Sequence, residues 1–313
     1  MIIGNMKRNI YSYSKLWMIL FVLMGAACTN QVEDAIPVSG QPIGFSVQSD
    51  WKEIPNTRSN DGKTEFANGD EIQIFGFHTS SGVEKKFMYR VGVGEEGRGQ
   101  IVKYDGGNWI YSPKRFWPKE GTLDFYASYP QYSVLNDEEN HRMIYKQEVN
   151  PLQLDLLWGV STGHNCKTTD RSSNVVITMK HALAKVIIRF DDSLGEITHA
   201  KVSAYNAGYF DKTDTTDGIP NWKVEDTSDI VTATLSPYED QETIGDATVF
   251  ILPDRITGLI LTKLDGTEID VSKEIQKYTF EAGKLYELTI SKRVRKNNTN
   301  TRSIAMSVRC VSE

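Results

Sequence analysis

Cysteine is scarce in this chain, with three among 313 residues. That excludes a fold built on disulfides. Positive charge is also short, at 35 basic side chains against 41 acidic ones and a net charge of -6. A nucleic-acid binder would normally present a basic face. The five histidines never fall at H-x-x-H or H-E-x-x-H spacing, so nothing supports a transition-metal site. Glycine (24) and proline (10) are too few for a fibrous or low-complexity chain. No apolar run reaches the length of a bilayer-spanning helix, and no helical stripe exceeds two turns. What is present is 39% hydrophobic and 10% aromatic. Such a chain buries a core, and its length suits two domains or one large one.

The first 28 residues differ in kind from the rest. Residues 1–15 carry Lys7, Arg8 and Lys15 and no acid, and Leu16 to Ala27 is an uncharged apolar run. As a helix that run spans about 18 Å, well short of the roughly 30 Å bilayer core. A basic start, a short apolar stretch and small residues before a break describe an export signal over 1–27. The break is Cys28, after Gly25-Ala26-Ala27. This resembles a bacterial lipobox, whose cysteine takes a diacylglycerol, although Gly25 stands where leucine is usual. An ordinary signal-peptidase site with an incidental cysteine is the alternative. Two or more acyl chains would hold the protein on a membrane, at about 0.8 kcal/mol per buried methylene. Without the signal, 32 basic side chains face 41 acidic ones, a net of -9. Cys166 and Cys310, far apart in sequence, are expected to be unpaired thiols.

Residues 28–42 are polar with two prolines and read as a tether. Beyond them the pattern has a period of two. Ile43, Phe45 and Val47 alternate with Gly44, Ser46 and Gln48. Ile72 and Ile74 alternate with Gln73 and Phe75, and Leu123, Phe125 and Ala127 with Asp124, Tyr126 and Ser128. Val186, Ile188 and Phe190 alternate with Lys185, Ile187 and Arg189. Further apolar runs occupy 248–252, 259–264 and 285–290. This is the signature of half-buried strands, and Asp105-Gly106-Gly107-Asn108, Asp217-Gly218 and Asp265-Gly266 are turn signals between them. Roughly sixteen strands without intervening helices predict an all-β fold of two antiparallel β-sandwich domains, one over 43–179 and one over 180–313. The stretch Val175 to Phe190 is too long for one strand and is expected to bend near His181.

Several motifs invite a catalytic reading. Gly92-Val93-Gly94-Glu95-Glu96-Gly97 satisfies G-x-G-x-x-G, but Arg98-Gly99-Gln100 leads straight into another strand. With no helix to face a phosphate, and two glutamates to repel it, a hairpin loop is expected. Gly159-Val160-Ser161-Thr162-Gly163 has the form of a nucleophile elbow, but a polar, aperiodic stretch follows where a helix is required. Asp170 and His181 are also cramped as partners for Ser161, so a Gly-bounded loop is expected there. Asp211, Asp214 and Asp217 are spaced by three, unlike the alternate spacing of a calcium loop, and read as a solvated acidic loop. Trp109 and Trp117 could stack on sugars, though such residues more often fill a sandwich core. No catalytic residue, metal or cofactor is expected.

The ordered segments carry a resemblance. They are the cysteine at 28, I-G-F-S-V (43–47), T-R-S (57–59), N-G-D-E-I-Q-I-F (68–75), N-W-I-Y-S-P (108–113) with F-W-P (116–118), and L-D-F-Y-A-S-Y-P (123–130). D-L-L-W-G (155–159), K-H-A-L-A-K-V (180–186), I-L-P (251–253) and A-G-K-L-Y-E-L-T-I (282–290) follow. Over roughly residues 20–290 the chain resembles the fimbrillin family of Bacteroidetes surface lipoproteins, the Mfa-like type V pilin group. The tryptophan expected in a terminal strand is absent after Ser291. The resemblance implies two transthyretin-like sandwiches in tandem, export to the outer membrane as a lipoprotein, and no enzymatic activity. It also implies that an arginine-specific protease cuts after the first strand, and that a strand from a neighbouring subunit fills the groove left behind.

The sequence holds parts that suit this. Arg58 lies in a polar, turn-prone stretch just after the first strand, where a protease can reach it. Lys292 to Arg302 is a basic, polar linker. Beyond it Ile304, Met306, Val308 and Cys310 alternate with Ala305, Ser307, Arg309 and Val311, as a donor strand added to an open edge requires. Burying four such side chains yields roughly 6–12 kcal/mol, against about 4–15 kcal/mol for association. The same segment could instead complete its own sandwich. Two functions are therefore expected to compete. One is a fimbrial shaft or tip subunit whose partners are other subunits, the outer membrane and the protease. The other is an uncleaved outer-membrane lipoprotein binding glycan or another surface ligand through Trp109, Trp117 and nearby tyrosines.

Overall fold

The computed structural model describes residues 38–49, 65–92, 94–146, 150–224, 230–237, 241–293 and 303–311. The first strands are β1 (Val38–Pro42), β2 (Phe45–Ser49), β3 (Glu71–Ser80), β4 (Val83–Met88), β5 (Gln100–Asp105), β6 (Asn108–Ile110), β7 (Phe116–Pro118) and β8 (Thr122–Tyr129). There follow β9 (Val134–Asp137), β10 (Arg142–Lys146), β11 (Leu157–Asn165), β12 (Val175–His181), β13 (Ala184–Phe190), β14 (Ile197–Tyr205), β15 (Ala207–Phe210) and β16 (Thr215–Thr216). The last are β17 (Ile219–Pro220), β18 (Lys223–Val224), β19 (Ile230–Leu235), β20 (Asp246–Ile251), β21 (Ile256–Lys263), β22 (Glu268–Asp270), β23 (Leu285–Arg293) and β24 (Ser303–Val311). Among the described residues helix is confined to one 3-10 turn at Asp192–Leu194 and to α1 (Ser272–Ile275). The chain is all-β, as its alternation predicts.

The largest sheet has the order β2-β12-β11-β8-β3-β5-β6, with β4 hairpinned onto β3. A four-stranded sheet, β18-β15-β10-β9, draws strands from both sides of residue 180. Two further four-stranded sheets, β20-β13-β23-β24 and β19-β14-β21-β22, enclose a core that includes Val186, Val202, Val249, Leu259 and Leu288. Most pairings are antiparallel, but β2 runs parallel to β12 and β13 parallel to β23. The expected bend near His181 falls at Ala182-Leu183, between β12 and β13. The last residues of the expected tether form β1, which pairs with β7.

The turn signals behave as their chemistry requires. Gly106 and Gly107 (φ 55° and 88°) join β5 to β6, and Asp217 and Gly218 (φ 52° and 81°) join β16 to β17. Both pairs have the double positive φ that a tight hairpin turn needs. Two expectations need correcting. Residues 159–163 are not a loop: they lie within β11, where a bulge between Ser161 and His164 interrupts the pairing with β8. The alternation in β3 does not mark a half-exposed strand either. Ile72, Gln73, Ile74 and Phe75 are all fully buried, because Met143 and Tyr145 of β10 pack in the same core as Phe75 and cover the second face.

Gln73 is therefore a polar side chain in an apolar layer, and it is satisfied there. Its amide nitrogen donates to Ser128 Oγ (3.0 Å) and to the Val134 carbonyl (2.6 Å), while its oxygen accepts from the Gly99 amide (3.2 Å). One side chain thus fastens β3 to β8, to β9 and to the turn before β5. Gln73→Leu removes all three bonds and strands their partners in the core. It should lower unfolding stability by about 1–3 kcal/mol in urea titration. An unchanged midpoint would show the network to be inert.

Candidate functional site

The candidate feature is the strand expected over 43–51, observed as β2, and the groove it fills. In β2 the apolar row faces inward: Ile43, just before the strand, is 1% exposed, Phe45 2% and Val47 8%. Ser46 and Gln48 face solvent. The Phe45 ring meets Phe125 edge-on at 5.3 Å and Tyr111 at 5.8 Å. At about 1.5–3 kcal/mol per buried side chain, this row is a substantial part of the stability of the large sheet.

Polar contacts fix the register. The parallel pairing places Phe45 beside Val175, Ser46 beside Val176 and Val47 beside Ile177. The Val175 amide donates to the Gly44 carbonyl (2.8 Å), and the Ile43 amide donates to the Arg115 carbonyl (2.9 Å). From the far end of the sheet, the Tyr111 hydroxyl donates to the Ile43 carbonyl (2.8 Å) and Trp109 Nε1 donates to the Val47 carbonyl (3.2 Å). Burial pushes the Tyr111 hydroxyl up from its ordinary value, against an opposing pull from Arg115, so it stays a donor. The sheet has curled until its two edges, β2 and β6, meet, and β2 closes it.

Both ends of the segment 50–64 come to the same place. Val47 sits against Trp109 on one side, and Phe66 packs edge-on to Trp109 at 5.0 Å on the other. Arg58 lies in that segment, outside the described residues, as does Cys28.

The opposite end of the chain forms a second edge. β24 pairs antiparallel with β23 from Leu285↔Val311 to Arg293↔Ser303. Ile304, Met306 and Val308 pack on the adjacent core but remain only partly buried, and Cys310 is exposed beside Tyr286. Cys166 is buried, and both thiols are free. The expected donor residues thus share one strand, with Cys310 outside its apolar contact.

The other sequence candidates are brought together differently. Ser161 Oγ lies 2.9 Å from Nε2 of His164, which sequence reasoning passed over, and not against His181. His181 Nδ1 meets Asp155 instead. Asp170 binds Ser172 and Ser173. The acidic loop also satisfies itself, Asp211 accepting from Thr213 and Asp214 from Asn221. The G-x-G-x-x-G segment is a hairpin connection, with the Arg90 amide on the Arg98 carbonyl. Trp109 and Trp117 are 7% and 0% exposed, so neither presents a face to a sugar.

The chain is all-β, and β2 lies at one edge of its largest sheet. The sequence profile of the fimbrillin-like family matches residues 57–306, and the chain belongs to that family. Among solved structures it is similar to a candidate cell adhesion protein from Bacteroides uniformis ATCC 8492, at 18% identity and a TM-score of 0.50, covering 86% of this chain and 97% of that one. A candidate cell adhesion protein from Bacteroides ovatus ATCC 8483 is similar at 13% identity and a TM-score of 0.50, covering 88% and 99%. The tip fimbrial protein Mfa3 from Porphyromonas gingivalis, truncated at its C-terminus, aligns at 9% identity and a TM-score of 0.45, covering 77% and 94%. No curated protein matches the chain significantly. At these identities the first two likenesses establish the fold.

Two measurements follow from the geometry. Phe45→Ala empties the space between Tyr111 and Phe125 and should cost about 3–5 kcal/mol in denaturant unfolding, whereas a loss under 1 kcal/mol would mean that β2 is loosely seated. Burial lowers the pKa of His164 below its ordinary 6.5, with Asp124 opposing. The unfolded chain then binds the proton more readily, so stability should fall as the pH drops below about 6.5. His164→Gln should flatten that slope between pH 7 and pH 5 in a thermal-melt series, and an identical slope would contradict the assignment.

Proposed function

We propose that this chain is a structural subunit of a cell-surface fimbria, made as an exported lipoprotein and assembled by strand exchange. Residues 1–27 direct export, Cys28 carries the lipid, and the precursor is held at the outer membrane. An arginine-specific protease cuts after Arg58. Strand β2 then leaves with the tether, and an extended strand from a neighbouring subunit takes its place beside β12. The division into domains over 43–179 and 180–313 belongs to the same reading. It is supported by a hydrophobic core drawn almost wholly from residues 184–290.

The observation that carries the proposal is the seat of β2. It is an edge strand, apolar on one face, bound to the body by side-chain and main-chain contacts from Tyr111, Trp109 and β12. A cut at Arg58 would sever its covalent link to Phe66 while leaving those noncovalent contacts intact. A strand held in this way can be displaced by another of like pattern, because main-chain hydrogen bonds carry affinity and alternate side chains carry specificity. The activity is mechanical, and no catalytic step is assigned. A glycan-binding role through Trp109 and Trp117 is disfavoured by their burial.

The test is proteolytic. Wild-type protein treated with an arginine-specific protease should pass from monomer to a ladder of oligomers in size exclusion with light scattering, and Arg58→Ala should stay monomeric. A wild type that remains monomeric after complete cleavage at Arg58 would defeat strand exchange.

A further inference from the structure

The apolar wall beneath β2 contains an imidazole. The bulge in β11 resets the alternation after Ser161, so that Thr162 and Gly163 are exposed. The His164 ring lies against Phe125, at 5.7 Å between centroids, and against Trp117, at 6.1 Å. Phe125 is also the ring that Phe45 of β2 meets edge-on at 5.3 Å, and Trp117 meets Phe125 at 6.5 Å. Trp117 and Phe125 are fully buried. Phe45 thus closes, and His164 borders, one aromatic layer.

The groups around His164 come from three strands. β8 presents the Asp124 carboxylate, which favours a charged ring and accepts the Gly163 amide (2.6 Å). β7 presents Trp117, whose Nε1 is a buried donor with no partner and offers no acceptor to a cation. On β11 itself Ser161 Oγ lies 2.9 Å from Nε2, and a hydroxyl can serve either protonation state. The Cys166 thiol reaches the His164 carbonyl (3.9 Å), and burial pushes that thiol up from its ordinary value, so it stays neutral. On the other side of Phe45 stands Tyr111, held protonated by burial, with Arg115 beside it. Among these described groups, Asp124 alone favours a proton on the imidazole.

We propose that the release of β2 is gated by acid through His164. This rests on the strand-exchange reading above and adds its regulation. With β2 seated, the ring is kept neutral at the border of an apolar layer, because burial outweighs the pull of Asp124. When β2 leaves, Phe125 loses the ring that covers it, water enters the layer, and His164 takes up a proton more readily. A proton that binds the open seat better than the closed one moves the balance toward opening as the pH falls. Above the ordinary histidine range the imidazole is neutral in both states, and the seat is at its tightest. Histidine suits the task because its charge changes between about pH 5 and pH 8. The cut segment thus stays in place in neutral surroundings and leaves where they turn mildly acidic.

The experiment uses the full chain, cut completely at Arg58 by the arginine-specific protease at neutral pH. The severed segment is chased with an excess of a labelled synthetic peptide of residues 38–58, and its loss is followed in steps from pH 7 to pH 5. Release from the wild type should be severalfold faster at the acid end. His164→Gln should release at one rate throughout. Asp124→Asn keeps an acceptor for the Gly163 amide but loses the charge that favours the imidazolium. It should keep the acceleration with its midpoint moved to lower pH, and it decides the matter if His164→Gln does not fold. A wild-type rate independent of pH, an acceleration that survives in His164→Gln, or an unmoved midpoint in Asp124→Asn overturns the gate and leaves strand exchange standing. A segment that neither leaves nor exchanges at any pH overturns strand exchange, and the gate with it.

Discussion

The closure of the large sheet by β2 is the constraint on which the rest depends. An open, curled sheet leaves an apolar interior and an unpaired strand edge facing water. Here the closing piece is β2, laid parallel along β12 and bound from the far edge by Trp109 and Tyr111. Its covalent continuation is the segment that holds Arg58, and the chain returns at Phe66 against the same Trp109. The chain belongs to the fimbrillin-like family, and the proposed strand exchange would give this closure a use.

The two edge strands β2 and β24 are unequal in burial. β2 buries its apolar row almost completely, and β24 leaves its row half-covered with a free outer edge. Under the proposed exchange, a strand like β24 would gain apolar burial in a seat like that of β2, and hydrophobic burial scales with the area removed from water. Association still has to offset lost translational freedom and the ordering of a tethered segment. The main-chain bonds along β12 and the contacts from Tyr111 and Trp109 add to the burial that holds β2, so its seat does not rest on three side chains alone.

Much of the fold was legible in the chain itself. Strict alternation at 43–48 and 123–128 marks strands, because a side-chain period of two commits one face to a core. The Gly-Gly at 106–107 and the Asp-Gly at 217–218 mark turns, because both positions need positive φ. The errors came where tertiary structure overrides local pattern. Gln73 looks solvent-facing by composition, yet it is buried and bonded on three sides, which no local rule reveals. Ser161 to Gly163 look like a loop because glycine and polar residues cluster there, yet they form a bulge within a strand held by its neighbour β8. The groove was legible only in part. Alternation in 43–47 shows that the strand is buried, but not that Tyr111 and Trp109, more than sixty residues on, bind its backbone.

The measurement that reaches the centre of this account is a near-atomic reconstruction of the assembled fibre. The account predicts subunits that begin at Ser59, with the density alongside Val175–Met179 tracing to the C-terminal strand of the next subunit. Fibres in which residues 43–49 of the same chain still occupy that place, with the lipidated N-terminus retained, would contradict it.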